Sequence, residues 1–588
     1  MRKLKLLLIL AILSSCVKDK SDNKIPLLDV SNKSLSAIRM FNFTGIDLDV
    51  TVNNIPLTAY PDPNNINHPG QATQVGLSIF SSGVWTATDN GSPFVVPNSL
   101  LDKNNKIRLR VQPRDLSGLV EVTLDTTIEN NVMHPLDYYL QANGTIKIIT
   151  RDNVPPANGQ NFKVRIINLG RANDTVALNG PVSMTYADGS PVSDLLNNVA
   201  EISPYAELPY GAYQFKVFVA AGAGIDPTKQ FAELPQFPNF NPCMPVVLSQ
   251  EAIPSRLRTF KPGGVYSIVI TPNYFIFFNC DRTSRSIITA NSYRIVTEVD
   301  PGVNYSYARM QAVNALPGKQ ITVKVDGQPL GGTLDYIGNT TPDVAQSPEY
   351  KIFIQGSHKI EAVDQSGNVL ATGNINLYPY DNYTIWAYEK PDGKADLLFE
   401  SNDMTGSVYT PSDINNGGQP DDGTDGNPRR VRYNYAVESR FLNFSPDLPF
   451  ATFTNDQQYF LPYGVNGSDT VRFPGAYTAL APGTQPFRNP NIIYSVGPFQ
   501  DFAVVNGQRT EVGILPSLIR VWQSKPGERP GTLLSGIAPL NAANAYIANP
   551  ALYRDRRPLG ENGVYTVALV GNTFKGTKAR IILIKHNK

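Results

Sequence analysis

The stretch RMQAVNALPGKQITVKVDG, residues 309–327, decides the fold class. Ile321, Val323 and Val325 alternate with Thr322 and Lys324, the period of a strand that turns one face inward. Asp326-Gly327 follows, and such a pair supplies the positive φ angles of a tight hairpin return. Asn314 closes the preceding apolar run, where a short amide side chain bonds the backbone of the next turn. The segment therefore reads as a β-hairpin, and its asparagine as a structural residue.

The same pattern occurs three more times, as RMFNFTGIDLDVTVNN from Arg39, RIINLGRANDTVALNG from Arg165 and RFLNFSPDLPFATFTND from Arg440. The motif Asn and the turn residue lie eleven or twelve positions apart in every copy: Asn42 to Asn53, Asn168 to Asn179, Asn314 to Asp326, Asn443 to Asn455. The copies also close alike, with GGVYSIVITPN from Gly263, YDNYTIWAYE from Tyr380, NGVYTVALVGN from Asn562 and a weaker PLDYYLQANGTIKI from Pro135. A period this long marks an array of similar units. Each unit holds about six to eight short strands, enough for a two-sheet sandwich. The expected domains are 36–155, 160–295, 303–402 and 432–588. Residues 403–431, with PSDINNGGQPDDGTDGNPRR at 411–430, read as a flexible linker on which domain four swings.

The segment Asn443-Phe444-Ser445-Pro446-Asp447-Leu448-Pro449 resembles the N-x-S-P-D-x-P opening of the DUF4397 family. The third copy keeps Asn314, Pro317 and the V-x-V-D-G strand end, and its YTIWAY is similar to that family's closing strand. Copies one and two lack the Ser-Pro-Asp. The resemblance implies tandem immunoglobulin-like β-sandwich domains exported as bacterial lipoproteins or wall proteins. It implies no activity, because the family has none assigned.

The N-terminus fits export. Met1 to Lys5 is short and basic, Leu6 to Leu13 is almost wholly apolar, and Ser14, Ser15 and Cys16 are small, the order of a signal peptide over residues 1–15. The apolar run is too short for a mature transmembrane helix. Leu13-Ser14-Ser15-Cys16 resembles the lipobox of bacterial lipoproteins, which implies acylation of Cys16 after cleavage. Acyl chains contribute about 0.8 kcal/mol per buried methylene, enough together to hold a protein on a membrane. Residues 16–35 then form a tether, and Lys18-Asp19-Lys20 resembles the signal of surface-exposed lipoproteins in some Gram-negative bacteria. The expected place is the outer membrane, facing outward.

Composition agrees with an exported all-β chain of roughly four domains. Charged residues are 17%, Pro and Gly number 47 and 45, and there are 28 Tyr and 26 Phe. The formal charge is +1, without a run of like charges, so neither a nucleic-acid nor an anionic-membrane footprint is expected.

Chemistry is sparse. His68, His134, His358 and His586 fall in different copies, and no nucleophile-elbow, zinc-protease, P-loop or dinucleotide motif stands in a fitting context. Cys243 and Cys280 lack metal-site spacing, and two readings stand. One is a disulfide worth about 3–4 kcal/mol in chain entropy, the other a pair of buried thiols. Asp421-Asp422-Gly423-Thr424-Asp425-Gly426 has a loose likeness to a calcium loop without the remaining carboxylates, so linker is preferred. No cofactor or metal is expected.

Two insertions are candidates for partner docking. Residues 228–247 carry Phe231, Phe237 and Phe240 among prolines, an aromatic loop that docks a partner or caps its own sandwich. Residues 523–560 end in a cluster with Arg554, Arg556 and Arg557. For glycans, Trp386 and Trp522 sit in apolar alternation and read as core, leaving Trp85 as the one platform. The functional expectation is a non-enzymatic surface lipoprotein that docks onto an integral outer-membrane partner, with a glycan-binding or adhesive lipoprotein as the alternative.

Overall fold

Strands of period two, separated by Gly, Pro and Asn turns, build the described residues into sheets that mostly have four strands, with two-, three- and five-stranded ones among them. The computed structural model describes residues 34–59, 78–80, 83–86, 93–114, 122–152, 154–170, 182–220 (apart from 195, 197 and 199), 230–232, 258–278, 285–341, 344–345, 348–402 (apart from 380), 407–408, 431–432, 437–459 (apart from 457), 477–484, 503–505, 508–510, 518–541 (apart from 529), 545–549 and 563–587 (apart from 577). These residues are all-β, interrupted by 3-10 turns such as Asn98–Leu100 and Ile337–Asn339. None of their helices is long and apolar enough to cross a membrane. The chain forms two compact units, Met1–Arg151 with Asn273–Phe275, and Asp152–Pro272 with Ile276–Lys588.

The first and third repeats have one topology. In the first, Leu35–Phe43 lies between Phe94–Pro97 and Leu136–Gln141, with Ile146–Thr150 outside, and a second sheet is ordered Ile55–Pro56, Leu48–Val52, Lys106–Pro113, Leu124–Glu129. In the third, Tyr307–Asn314 lies between Lys351–Ile354 and Asn382–Glu389, with Ala395–Ser401 outside, and the second sheet is Gln328–Pro329, Ile321–Val325, Gly356–Asp364, Val369–Leu377. The opening strand runs parallel to the strand that closes its repeat in all four copies: 35–43 with 136–141, 161–168 with 265–278, 307–314 with 382–389, 437–444 with 563–570. The weaker PLDYYLQ segment thus takes the same place as the three stronger ones. In the second repeat the hairpin strand after the closing one ends at Val299, beyond the expected limit at 295.

Local chemistry explains the hairpins. Ile321, Val323 and Val325 are buried while Thr322 and Lys324 are half-buried, and Asp326 and Gly327 turn at φ 51° and 80°. Asn53 turns likewise at φ 50°. In the fourth copy the left-handed position is Asp456, one residue past the expected Asn455.

The third and fourth sandwiches share more than sequence. Ile385 and Ala387 face the interior of the third sandwich, but Trp386 and Tyr388 enter a different core with Leu442, Phe444, Ala568 and Ile582 of the fourth. Val344–Ala345 also pairs in parallel with Arg580–Lys585 and adds a strand to the fourth sandwich's sheet. That pairing covers an edge that would otherwise expose backbone donors and acceptors. The linker at 411–430 lies outside the described residues, but the seam opposes the expected swing of domain four. A shared apolar core and a shared sheet hold it against domain three.

Candidate functional site: a buried polar joint

The motif asparagines are all buried and all bonded within their own repeat. Each motif asparagine accepts the N–H two residues on: Thr44 at 3.1 Å from Asn42, Gly170 at 3.1 Å from Asn168, Leu316 at 3.0 Å from Asn314, Ser445 at 2.9 Å from Asn443. Its amide nitrogen donates to carbonyls of the facing loop, as Asn443 does to Leu448 and Leu480 at 3.1 and 3.0 Å. This is the turn role read from sequence.

The motif arginines reach sideways. Each Nε donates to the side chain in register on the parallel closing strand: Arg39 to Asp137 at 2.8 Å, Arg165 to Ser267 at 2.8 Å, Arg309 to Asn382 at 2.7 Å, Arg440 to Thr566 at 3.2 Å. In the third copy Arg309 stands five residues before the asparagine rather than three, and Gln311 occupies the arginine's usual rung. Gln311 Nε2 accordingly donates to its own register partner, Thr384, at 2.9 Å.

In the second unit these rungs merge into one buried joint among repeats two, three and four. The Arg309 guanidinium lies 4.5 Å from the Tyr350 ring and 5.6 Å from the Tyr210 ring. A Cβ at Gly211 would fall 1.8 Å from Arg309 Nη1, so the close approach requires glycine there. Arg440 pairs with Glu400 at 2.6 Å and also donates to the Ser401 carbonyl and the Asn402 amide oxygen. Asn402 in turn donates to Tyr350 Oη at 3.0 Å and Thr384 Oγ1 at 2.7 Å. Lys585 Nζ donates to Gln214 Oε1 at 3.0 Å, linking repeat four to repeat two.

Burial displaces the titratable groups of the joint: it raises the Tyr210 and Tyr350 hydroxyls, and it acts on His586 and Asp381 as well. His586 has no exposed surface, and burial, with Arg440 adding to it, holds its imidazole well below the usual value. Burial pushes the Asp381 carboxyl up to about 6, although Ser401 Oγ at 2.7 and 2.8 Å and the Asn382 N–H at 2.7 Å favour its charged form. Desolvation outweighs those bonds. The joint can hold strands in register and store charge. Its groups face one another, an arrangement for binding domains together.

A second feature lies at the end of the third sandwich, a cleft of about 330 Å³ between Ala312–Asn314 and the 334–340 turn. Leu334, Ile337 and Ala345 give it apolar walls, and Asp335, Asn339 and Thr340 a polar side. Arg580 pins the turn by donating to the Gly338 carbonyl at 2.9 Å. The Tyr336 ring packs so closely on Gly338 that a Cβ there would sit 2.4 Å from it. Tyr336 Oη is buried without a hydrogen-bond partner.

Of the residues expected to act, Cys16, Cys243, Cys280, Phe237, Phe240, Arg554, Arg556 and Arg557 lie outside the described residues, as does the 421–426 loop. Phe231 is on the short strand Gln230–Ala232, with its backbone in register with Val219. Trp85 does not form a platform. It is buried against Phe94 at 6.0 Å and its backbone bridges Leu48. Trp386 is core as expected, whereas Trp522 is half-buried on the face opposite Ile519 and Val521, its Nε1 donating to Thr454 Oγ1 at 2.7 Å. His358 clasps its own hairpin, bonding Asp326 at 2.7 Å and the Ile354 carbonyl at 2.9 Å.

Sequence reasoning passed over Gln311, Asp381 and Glu400, and set His586 aside with the other scattered histidines. Their signal was faint: an arginine that opens each repeat, with no acidic residue beside it in the chain, must find its partner across a strand. Compared with known proteins, the chain matches no family model and no curated protein at a significant level.

Proposed function

We propose that the chain is a lipid-anchored scaffold of the outer membrane, an accessory subunit that presents β-sandwich domains of the DUF4397, immunoglobulin-like kind to an integral membrane partner. The anchor is Cys16, placed behind a basic and apolar leader. The observation that carries the reading is the buried joint, where Arg440–Glu400, Lys585–Gln214 and the Trp386 core tie three repeats into one body. Such a body keeps its loops at fixed spacing, so a partner meets a surface whose ordering cost is already met. The repeated arginines and asparagines serve that rigidity.

The test is a mild-detergent pull-down of the tagged, full-length protein from its own outer membrane, beside Cys16→Ala. An integral membrane protein recovered at fixed ratio with the wild type, and lost with the unanchored variant, supports the scaffold. Recovery of the wild type alone sinks it.

The glycan-binding alternative draws on the cleft beside Tyr336, whose size and mixed walls suit one or two sugar rings. Titration with neutral mono- and disaccharides, read by ligand-observed NMR, separates the two readings.

A further inference from the structure

The groups around the His586 ring come from two sandwiches, Gln311 and Thr384 from the third and Thr566 from the fourth. Gln311 Nε2 lies 2.6 Å from Nδ1, and an amide N–H donor there requires an unprotonated ring nitrogen. The opposite nitrogen then carries the proton and donates to Thr566 Oγ1 at 2.7 Å. The neutral ring is thus a two-ended bridge across the seam, and the backbone N–H of His586 fixes the residue to its own sandwich by donating to the Val564 carbonyl at 2.8 Å.

Charged groups around this bridge discourage a further proton. Arg440, on the opening strand of the fourth sandwich, acts on the ring, and the basic side chains of Arg309, on the opening strand of the third, and Lys585, the preceding residue, are buried as well. Of the carboxylates, Glu400 is engaged by Arg440, and Asp381 is engaged by Ser401 and the Asn382 N–H. We propose that His586 is an acid-sensitive latch: its neutral ring holds the third and fourth sandwiches together, and proton uptake releases the seam. This device is independent of what the scaffold binds.

The direction follows from linkage. The imidazole is held below its ordinary value of 6.5 when the seam is closed and returns to it when the seam opens. The latch is therefore fully effective above that value, and the opening equilibrium rises about tenfold per pH unit below it until the closed-state value is reached. Asp381 works in the opposite sense, since burial raises its value, so the measurement must compare variants rather than conditions alone.

The experiment is hydrogen exchange of the full-length chain at pH 7.5, 6.5 and 5.5, corrected for intrinsic rates and read at the Val344–Ala345 pairing with Arg580–Lys585. Relative to His586→Gln, the wild type should lose about fivefold more protection between pH 6.5 and 5.5, and about tenfold more between pH 7.5 and 5.5. The same change of protection with pH in both proteins overturns the latch. If His586→Gln does not fold, ¹⁵N imidazole shifts of the wild type decide. A neutral ring at pH 5.5 supports the proposal, and an ordinary titration near 6.5 overturns it.

Discussion

Arg440 opens the fourth repeat but forms its ion pair with Glu400 of the third, at 2.6 Å, with the two side chains 5% and 4% exposed. The equivalent Arg39 and Arg165 pair with Asp137 and Glu298 of their own repeats. A residue with one local role in the array has been redirected to join domains.

Breaking that pair leaves a buried charge without its partner, which costs about 3–5 kcal/mol. Glu400→Gln and Arg440→Met should each lower the denaturant midpoint of the second unit. The double variant Arg440→Met/Glu400→Gln should lose less than the sum of the singles, because it strands neither charge. Additive losses in a denaturation series would show that the two side chains are not coupled.

Trp386 stacks on Phe444 across the seam with ring centroids 4.9 Å apart. Trp386→Ala should cost about 3–5 kcal/mol by the cavity it leaves. The loss belongs to the seam rather than to the third sandwich's interior, so limited proteolysis should release the fourth repeat first. Uniform digestion of both repeats would contradict this placement.

Asp447, the acid of the Ser-Pro-Asp segment, accepts the N–H groups of Thr573, Phe574 and Lys575 at 2.6, 2.8 and 2.9 Å. It fastens the turn between the last two strands. Asp447→Ala should cost about 1–3 kcal/mol and raise amide exchange at residues 573–575 before other sites of the sheet respond. Unchanged exchange there would remove this role.

Asp381 gives a pH dependence of defined sign. Its folded-state value, about 6, exceeds the ordinary 3.8, so its contribution is full below 3.8 and is lost as pH rises through 6. At 1.36 kcal/mol per unit the loss reaches about 3 kcal/mol at neutral pH. Asp381→Asn should therefore stabilise the protein at pH 7.5 and leave it little changed at pH 4, as followed by thermal melts. Destabilisation at pH 7.5 would mean that the charged form is the better bonded one.

The hairpins were legible because their causes are local. Ile321, Val323 and Val325 alternate, Asp326-Gly327 turns, and Asn314 bonds the next few residues, all within about fifteen positions. The joint was not legible, because Gln311 and His586 meet across 275 positions and nothing near either one names the other. Trp85 shows the same limit in reverse: outside any apolar alternation it was left as the one platform, and Phe94 packs against it in the core.

By itself the sequence determined an all-β chain with a recurring hairpin pattern, since strand period and turn chemistry depend on neighbours in the chain. Only the tertiary structure decided which units fuse and which side chains become the joint. In the run Ile385-Trp386-Ala387-Tyr388 alternation separates two faces without saying what covers the second. Here the second face packs on another sandwich, and burial from both sides turned arginines, an aspartate and a histidine into bonded core groups.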